Sequence, residues 1–352
     1  MTQPRELLEI TDTTVNIELL GNDHFIYQAW NNGSEEFLRQ TFNQVFSDIN
    51  PIGGITLTPV DHYHRNCAVL ACTHGNGKKV IKILDSRSFD VRKEEILREN
   101  RVGLYASKKV PSLKPREIVG LFTDSNHPDV PTVVVYDYLG RAYGEDVSTK
   151  ELLKVVDVTL KKITDLHKAN ISPKWGYSLS EKKRAENPYD IAIETTRYLF
   201  NDMTRDGLDP SGKIKGLIEN RWHPLFRQVK FFTLCHKDVT LSNIIARPEQ
   251  DITLIDWTHA RWDDPTYDMA YILFWPIMRG EAHKILDKFK RYQPVYGSMG
   301  LDICSRFPFY LAHKFIEYGR FKGLKWVNIG HQLLNLSNAE EAIKFAAKQS
   351  MG

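Results

Sequence analysis

Residues 235–275 carry the most informative pattern in this chain, and they read CHKDVTLSNIIARPEQDITLIDWTHARWDDPTYDMAYILFW. Two short apolar runs flank the turn PEQD at residues 248–251, which is typical of a β-hairpin. Asn243 begins the first run and Asp256 ends the second, so a hairpin would bring these two ends together. Asp238 lies five residues before Asn243. The pattern therefore predicts that these three polar side chains converge on one point.

The residue types at this point favour phosphoryl transfer. Mg²⁺ in proteins is held by one or two oxygen ligands together with substrate phosphates, a role that suits Asn243 and Asp256. The remaining carboxylate, Asp238, would orient an attacking hydroxyl and accept its proton. Phosphoryl transfer needs this division between a metal that neutralises charge and a group that positions the nucleophile.

The spacing also matches the His-x-Asp-x4-Asn pattern of kinase catalytic loops, beginning at His236. That pattern requires a Lys on the third strand of a preceding lobe and a Glu on the next helix. Lys82 lies in VIKIL, which is the third predicted strand of the segment 55–84. Both Glu95 and Glu99 lie in the amphipathic helix predicted over residues 90–106.

Together these segments resemble the aminoglycoside phosphotransferase and choline kinase superfamily of small-molecule kinases. The signature His-Gly-Asp-x4-Asn, then Ile-Asp, then Asp-Pro-x-x-Asp corresponds here to HKDVTLSN, LIDW and DDPTYDMA. The resemblance extends over most of residues 53–275. It implies an α+β fold of the bilobal, protein-kinase-like kind, with a small five-stranded antiparallel N-lobe and a larger, mostly helical C-lobe.

The resemblance also implies roles in the catalytic loop. Asp238 would be the catalytic base, and Asn243 and Asp256 would bind Mg²⁺. Asp268 would support the loop through a hydrogen bond near His236, whose own role is more structural than catalytic.

For the nucleotide, ATP with GTP as an alternative, the resemblance implies a second set of residues. Lys82 would contact the phosphates, and Glu99 is preferred over Glu95 as its partner. Tyr136 and Tyr138 would lie at the hinge whose backbone meets adenine.

Two features depart from the family pattern. Lys237 replaces the usual Gly, which often allows backbone geometry that a side chain resists. The chain has no G-x-G-x-x-G motif; the candidate phosphate loop is residues 60–66, where Arg65 or Asn66 would assist the backbone N–H groups. An ordinary polar hairpin is the equally weighted alternative for that loop.

A chain of 352 residues is too long for a single hydrophobic core. The spacing of its apolar residues divides it into three parts. Residues 1–50 form an N-terminal extension, in which 6–19 fit strand or helix and 34–46 fit a helix. Residues 51–140 form the nucleotide-binding N-lobe, and residues 141–352 form the helical C-lobe. A capping box at residues 148–151, STKE, opens the first long helix of that lobe.

Composition excludes several classes of protein. Lys and Arg number 47 against 44 Asp and Glu, a net charge of +3 that gives no case for nucleic-acid binding. The longest apolar run, residues 269–278, is too short to span a membrane. The first residues lack a signal-peptide core, and four cysteines are too few for a disulfide scaffold. We therefore expect a cytoplasmic protein without nucleic-acid or membrane partners.

The predicted activity is that of an ATP:alcohol phosphotransferase, EC 2.7.1 type, acting on a small-molecule hydroxyl. An antibiotic is the first candidate acceptor, and choline, ethanolamine or a sugar-like metabolite is the alternative. Residues 301–352 carry seven bases and four acids, which weakens the case for a strongly cationic acceptor. A non-catalytic, nucleotide-binding pseudokinase regulator is the alternative from another class.

Overall fold

The structure is a computed structural model with two compact units, residues 1–101 with 115–140 and residues 102–114 with 141–352. The described residues are 8–11, 14–15, 55–59, 67–74, 77–84, 89–113, 118–122, 132–140, 142–180, 184, 213–247 and 251–351.

An antiparallel sheet of seven strands forms the described part of the first unit. Its strands are β1 (Leu8–Thr11), β2 (Thr14–Val15), β3 (Ile55–Pro59), β4 (Cys67–His74), β5 (Gly77–Leu84), β6 (Ile118–Phe122) and β7 (Thr132–Asp137). They lie in the order β2-β1-β3-β4-β5-β7-β6. All five strands expected in this lobe are present. Residues 1–50, which the sequence analysis treats as an extension, add two more strands. Of the two alternatives for its first residues, strand or helix, the structure has a strand at Leu8–Thr11.

Strand β5 lies between β4 and β7, and its Lys82 pairs with Val69 and Val134. Val80, on the same face of the strand, is buried with Val134 and Tyr136 and with Ile96 of the following helix. That helix, α1 (Phe89–Lys109), begins in the first unit and ends in the second. It covers the helix predicted over residues 90–106.

Helix α2 (Thr149–Ala169) opens the helical part of the second unit. The Ser148 hydroxyl accepts a hydrogen bond from the Glu151 backbone N–H at 3.3 Å, which confirms the predicted cap. Apolar residues at helical spacing bury one face of α2 in the core.

The remaining helices of this unit are α3 (Lys213–Leu217), α4 (His223–Phe226), α5 (Thr266–Met278), α6 (Ala282–Ser298), α7 (Phe307–Lys322), α8 (Leu324–Leu333) and α9 (Ala339–Met351). A π-helical turn, Ile218–Trp222, joins α3 to α4. Helix α5 is buried nearly all round and packs against α2, α6, α7 and α9. The helix expected over residues 34–46 and the first part of that expected over 187–229 lie outside the described residues.

Five short strands lie in the described part of the second unit, namely β8 (Ile171–Ser172), β9 (Phe232–Cys235), β10 (Ile244–Ala246), β11 (Ile252–Leu254) and β12 (Arg261–Asp263). Strands β10 and β11 form the predicted hairpin, and β12, β9 and β8 form a small sheet. The hairpin is shorter than expected, since Asn243 precedes β10 in a 3₁₀ turn and Asp256 follows β11 in a left-handed conformation. Both residues still lie at the same end of the hairpin.

No helix among the described residues combines the length and apolar character needed to cross a membrane.

Candidate active site

The loop between β9 and β10 brings Asp238 and Asn243 into direct contact. The Asn243 amide nitrogen Nδ2 donates to the Asp238 carboxylate Oδ2 at 2.7 Å and to its backbone oxygen at 3.0 Å. Both amide hydrogens are therefore used within the loop. The Asn243 amide oxygen Oδ1 is directed away from them and accepts no hydrogen bond from the described residues.

Asp256 reaches the same end of the hairpin through the backbone. The Ile255 N–H donates to the Asn243 backbone oxygen at 3.0 Å. Asp256 itself has φ 60° and ψ 67°, a left-handed conformation that non-glycine residues rarely adopt. The Thr258 hydroxyl donates to its Oδ1 at 2.6 Å. Strained backbone of this kind is concentrated at functional sites.

The electrostatic surroundings of Asp238 make its carboxylate more basic than an exposed one. Burial raises the pKa of Asp238, and the charge of Lys314 opposes that rise. The negative charge of Asp256 adds to it. A partly buried carboxylate with a raised pKa is suited to accepting a proton.

His236 connects the loop to the hairpin. Its Nε2–H donates to the Ile255 backbone oxygen at 3.0 Å, and its Nδ1 accepts from the Asp238 backbone N–H at 3.3 Å. Its ring packs on Trp257, with centroids 4.5 Å apart. Burial lowers the pKa of His236, which favours the neutral form that these hydrogen bonds require. His236 thus orients Asp238 relative to Asp256.

Asp268, in the first turn of α5, holds the loop from beneath. Its carboxylate accepts hydrogen bonds from the backbone N–H groups of His236 and Lys237, both at 2.8 Å. It also accepts one from His167 Nε2–H at 3.2 Å, and His167 Nδ1 in turn accepts from the Tyr296 hydroxyl at 2.7 Å. Burial would raise the pKa of Asp268, but the hydrogen bond and charge of His167 hold it below its usual value.

Lys237 has a left-handed backbone with φ 69°. Its ammonium is buried, forms an ion pair with Asp263 at 2.7 Å and lies 3.3 Å from the centroid of the Tyr267 ring. Arg261 donates to the same Asp263 oxygen at 2.8 Å. Burial would raise the pKa of Asp263, but Lys237 and Arg261 lower it to about 2.

Asp263 precedes Asp264 and Pro265, a position at which the sequence alone indicates a turn residue. Its neighbour Asp264 does fill that role, since its side chain accepts hydrogen bonds from the Thr266 backbone N–H and hydroxyl and pairs with Arg306. The sequence signal for Asp263 is indirect. A lysine in place of glycine, inside an apolar segment, requires a buried carboxylate nearby.

A second charged group near Asp238 comes from α7. Lys314 donates to Glu317 at 2.9 Å and lies 4.3 Å above the Tyr271 ring. The Tyr271 hydroxyl also donates to Glu317 at 2.9 Å, and its ring stacks on Tyr267 with centroids 4.2 Å apart. No sequence motif pointed to this pair, because it lies far along the chain from the loop.

The nucleotide residues expected in the first unit are partly described. Lys82 lies 4.0 Å from the Glu99 carboxylate, and both side chains are partly exposed, at 22% and 13%. Tyr136 is buried within β7, and Tyr138 follows that strand partly buried. Arg65 and Asn66 lie outside the described residues.

A comparison with protein-family models decides the family. Residues 68–301, about two thirds of the chain, match the model described as the phosphotransferase enzyme family, APH. The chain belongs to this family. Among curated proteins, a search finds no significant match.

Solved structures with a similar, kinase-like fold share little sequence identity with this chain. A thermostable aminoglycoside phosphotransferase APH(4)-Ia variant, in complex with ADP and hygromycin B, is 13% identical with a TM-score of 0.57 and covers 89% of this chain and 98% of its own. A related variant bound to AMP-PNP and hygromycin B is 14% identical, with a TM-score of 0.53, covering 79% and 91%. A fructosamine-3-kinase candidate from Haemophilus somnus 129PT is 13% identical, with a TM-score of 0.53, covering 78% and 88%.

Proposed function

We propose that this protein is an ATP- and magnesium-dependent phosphotransferase that phosphorylates a hydroxyl group of a small molecule. The observation that carries the proposal is the contact between Asp238 and Asn243 at one end of a hairpin whose other strand leads to Asp256. Membership of the phosphotransferase enzyme family supports it.

In this proposal Asp238 is the catalytic base. Asn243 fixes its Oδ2, and its Oδ1 has no hydrogen-bond partner among the described residues. Oδ1 therefore accepts the hydrogen of the acceptor hydroxyl and orients the oxygen toward the γ-phosphate. The raised pKa of Asp238 strengthens it as a base.

The oxygen donors at the hairpin end fit Mg²⁺. The Asn243 amide oxygen and the Asp256 carboxylate are hard ligands, and a site with few protein ligands leaves room for water and phosphates. When bound, the cation would neutralise charge on the transferred phosphate. Its two ligands are held at adjacent points by the Ile255 to Asn243 hydrogen bond.

In the first unit, Lys82 would contact the ATP phosphates and Glu99 would orient its ammonium. The backbone from Tyr136 to Tyr138 would bind the base. The complexes of structural neighbours with ADP and AMP-PNP support an adenine nucleotide, with GTP as the alternative.

The first acceptor to test is an aminoglycoside-type antibiotic, since two of the structural neighbours bind hygromycin B. A sugar-like metabolite is the second, supported by the fructosamine-3-kinase candidate. Choline or ethanolamine is the third.

The test measures ADP release from Mg-ATP with hygromycin B, fructosamine, glucose, choline and ethanolamine as acceptors. With an accepted compound, Asp238→Asn should lower kcat by about 10²–10⁴-fold. ATP affinity, measured by calorimetry, and the unfolding midpoint should change little. Full activity in Asp238→Asn would remove the base assignment, and absence of Mg-ATP binding by the parent protein would remove the proposal.

The alternative from another class is a pseudokinase that binds nucleotide without transferring phosphate. The sequence departures at Lys237 and in the phosphate loop favour it. Mg-ATP binding without ADP release on any acceptor, water included, would support this alternative over the phosphotransferase.

A further inference from the structure

Lys237 precedes Asp238 at the position that glycine occupies in the family signature His-Gly-Asp-x4-Asn. Its φ of 69° is in the region that glycine adopts freely and a residue with a Cβ resists. Among the described residues, only Lys237 and Asp256 are non-glycine residues with positive φ. The loop therefore keeps the backbone of a glycine while carrying a long side chain.

The Lys237 side chain is directed away from the reacting carboxylate and into the core. Its ammonium pairs with Asp263 and lies over the Tyr267 ring, as described above. Asp263 is fully buried and is held in place by Arg261. A charge pair removed from water in this way has a strict geometry, because displacement of either partner leaves a buried charge unpaired.

Two carboxylates thus hold the same residue from different sides. Asp268 accepts the hydrogen bond of the Lys237 backbone N–H, and Asp263 binds its ammonium. Both belong to the segment DDPTYD, in which Asp263 ends β12 and Asp268 lies in the first turn of α5. Backbone and side chain of Lys237 are consequently anchored within six consecutive residues of the chain.

We propose that Lys237 is a positioning residue. Its side chain, held by Asp263 and Tyr267, fixes the left-handed turn that directs the Asp238 carboxylate toward the acceptor hydroxyl. This inference rests on the proposed phosphotransferase activity and assigns a task to a side chain at a position where the family signature has glycine.

The test compares Lys237→Met with Lys237→Gly, using Asp238-dependent hydrolysis of Mg-ATP by water as the probe. Methionine keeps the length and the Cβ of lysine but removes the charge. The turn therefore loses the ion pair with Asp263 while its positive φ stays unfavourable for a residue with a Cβ. We expect kcat to fall by about 10²-fold, as a misdirected catalytic group does, with the KM for ATP unchanged. Glycine adopts the turn without an anchor, so its kcat should stay within about tenfold of the parent value.

Tyr267→Leu provides a second variant if Lys237→Met does not fold. It leaves the ion pair with Asp263 and removes the ring beneath the ammonium. We expect kcat to fall by about tenfold, again with the KM for ATP unchanged.

Lys162→Met is the matched control for loss of a buried lysine. Lys162 pairs with Asp251 at 2.7 Å and donates to the Ile252 backbone oxygen at 2.9 Å, away from the catalytic loop. This variant should lower the unfolding midpoint in urea while kcat of the folded protein stays within about threefold of the parent value.

Equal kcat values in Lys237→Met and Lys237→Gly, whether both low or both unchanged, would overturn the proposal. The proposal would also be overturned if kcat fell in proportion to the loss of stability, and by the same amount, in Lys237→Met and Lys162→Met. Failure of the proposed function is a separate result, since the parent protein itself would then show no ADP release with water or with any acceptor.

Discussion

The loop that carries Asp238 in the second unit and the Lys82–Glu99 pair of the first unit are held in different ways. Asp268 accepts three hydrogen bonds of 2.8–3.2 Å from fully or nearly fully buried groups. The Lys82–Glu99 ion pair is 4.0 Å long and partly exposed. Charges in water gain little from pairing, whereas buried charges are costly to separate. The loop that carries Asp238 is therefore held by buried hydrogen bonds, whereas the Lys82–Glu99 pair should add little to stability.

The strongest way to break this contrast is Asp268→Asn. The amide places an N–H₂ donor against backbone or histidine N–H groups, which leaves buried donors unpaired. We expect the free energy of unfolding in urea to fall by about 3–5 kcal/mol.

Asp302→Asn is the matched control for Asp268→Asn. The Asp302 carboxylate also accepts backbone hydrogen bonds, from the N–H groups of Cys304 and Ser305, but it is exposed. Its loss should cost about 1 kcal/mol or less. Equal costs for the two substitutions would show that burial does not distinguish them.

The next largest effect concerns His313, a buried residue that faces Glu317, Lys314, Lys237 and Arg320. Burial lowers its pKa from 6.5 to about 4, so the folded state favours the neutral ring. Its contribution to stability is complete above pH 6.5 and is lost as the pH falls toward 4. The two pKa values correspond to about 3 kcal/mol.

His313→Gln removes this titration. Urea unfolding of the parent protein, measured at several values between pH 6.5 and 4, should lose stability relative to the variant as the pH falls. Parallel pH profiles for the two proteins would contradict the assignment. This experiment tests whether a buried titratable group beside the Lys314–Glu317 pair contributes to stability as the buried groups around Asp268 do.

The smallest effect on stability is expected for Lys82→Met. Because the ion pair with Glu99 is partly exposed, unfolding should change by less than about 1 kcal/mol. The KM for ATP should instead rise by about tenfold or more, since an ammonium on phosphate would be lost. A large loss of stability with unchanged KM would reverse the contrast between the two regions.

The sequence predicted the parts of this molecule that depend on local spacing. The His-x-Asp-x4-Asn spacing and the turn at residues 248–251 were enough to bring Asn243 and Asp256 to one hairpin end. The alternating pattern around Lys82 placed it on the third strand of the predicted lobe. These features could be predicted because they depend only on residues close together in the sequence.

Other parts could not be predicted because they depend on packing between distant segments. Asp263 looked like a turn residue until its partner, Lys237, was seen to turn inward. The Lys314–Glu317 pair reaches the site only through the packing of α7 on α5. The hairpin strands are also shorter than their apolar runs. Asn243 lies in a 3₁₀ turn and Asp256 has a left-handed backbone, so neither residue is part of a strand.

Strand β1 has a practical consequence for producing this protein. Leu8–Thr11 pairs with one side of β3, while β4 pairs with the other. A chain shortened to begin at residue 51 would leave the backbone groups of residues 55–57, which β1 pairs in the full chain, as an open sheet border. Such a border recruits strands from other molecules. Shortened versions of the chain should therefore self-associate in solution more than the full chain.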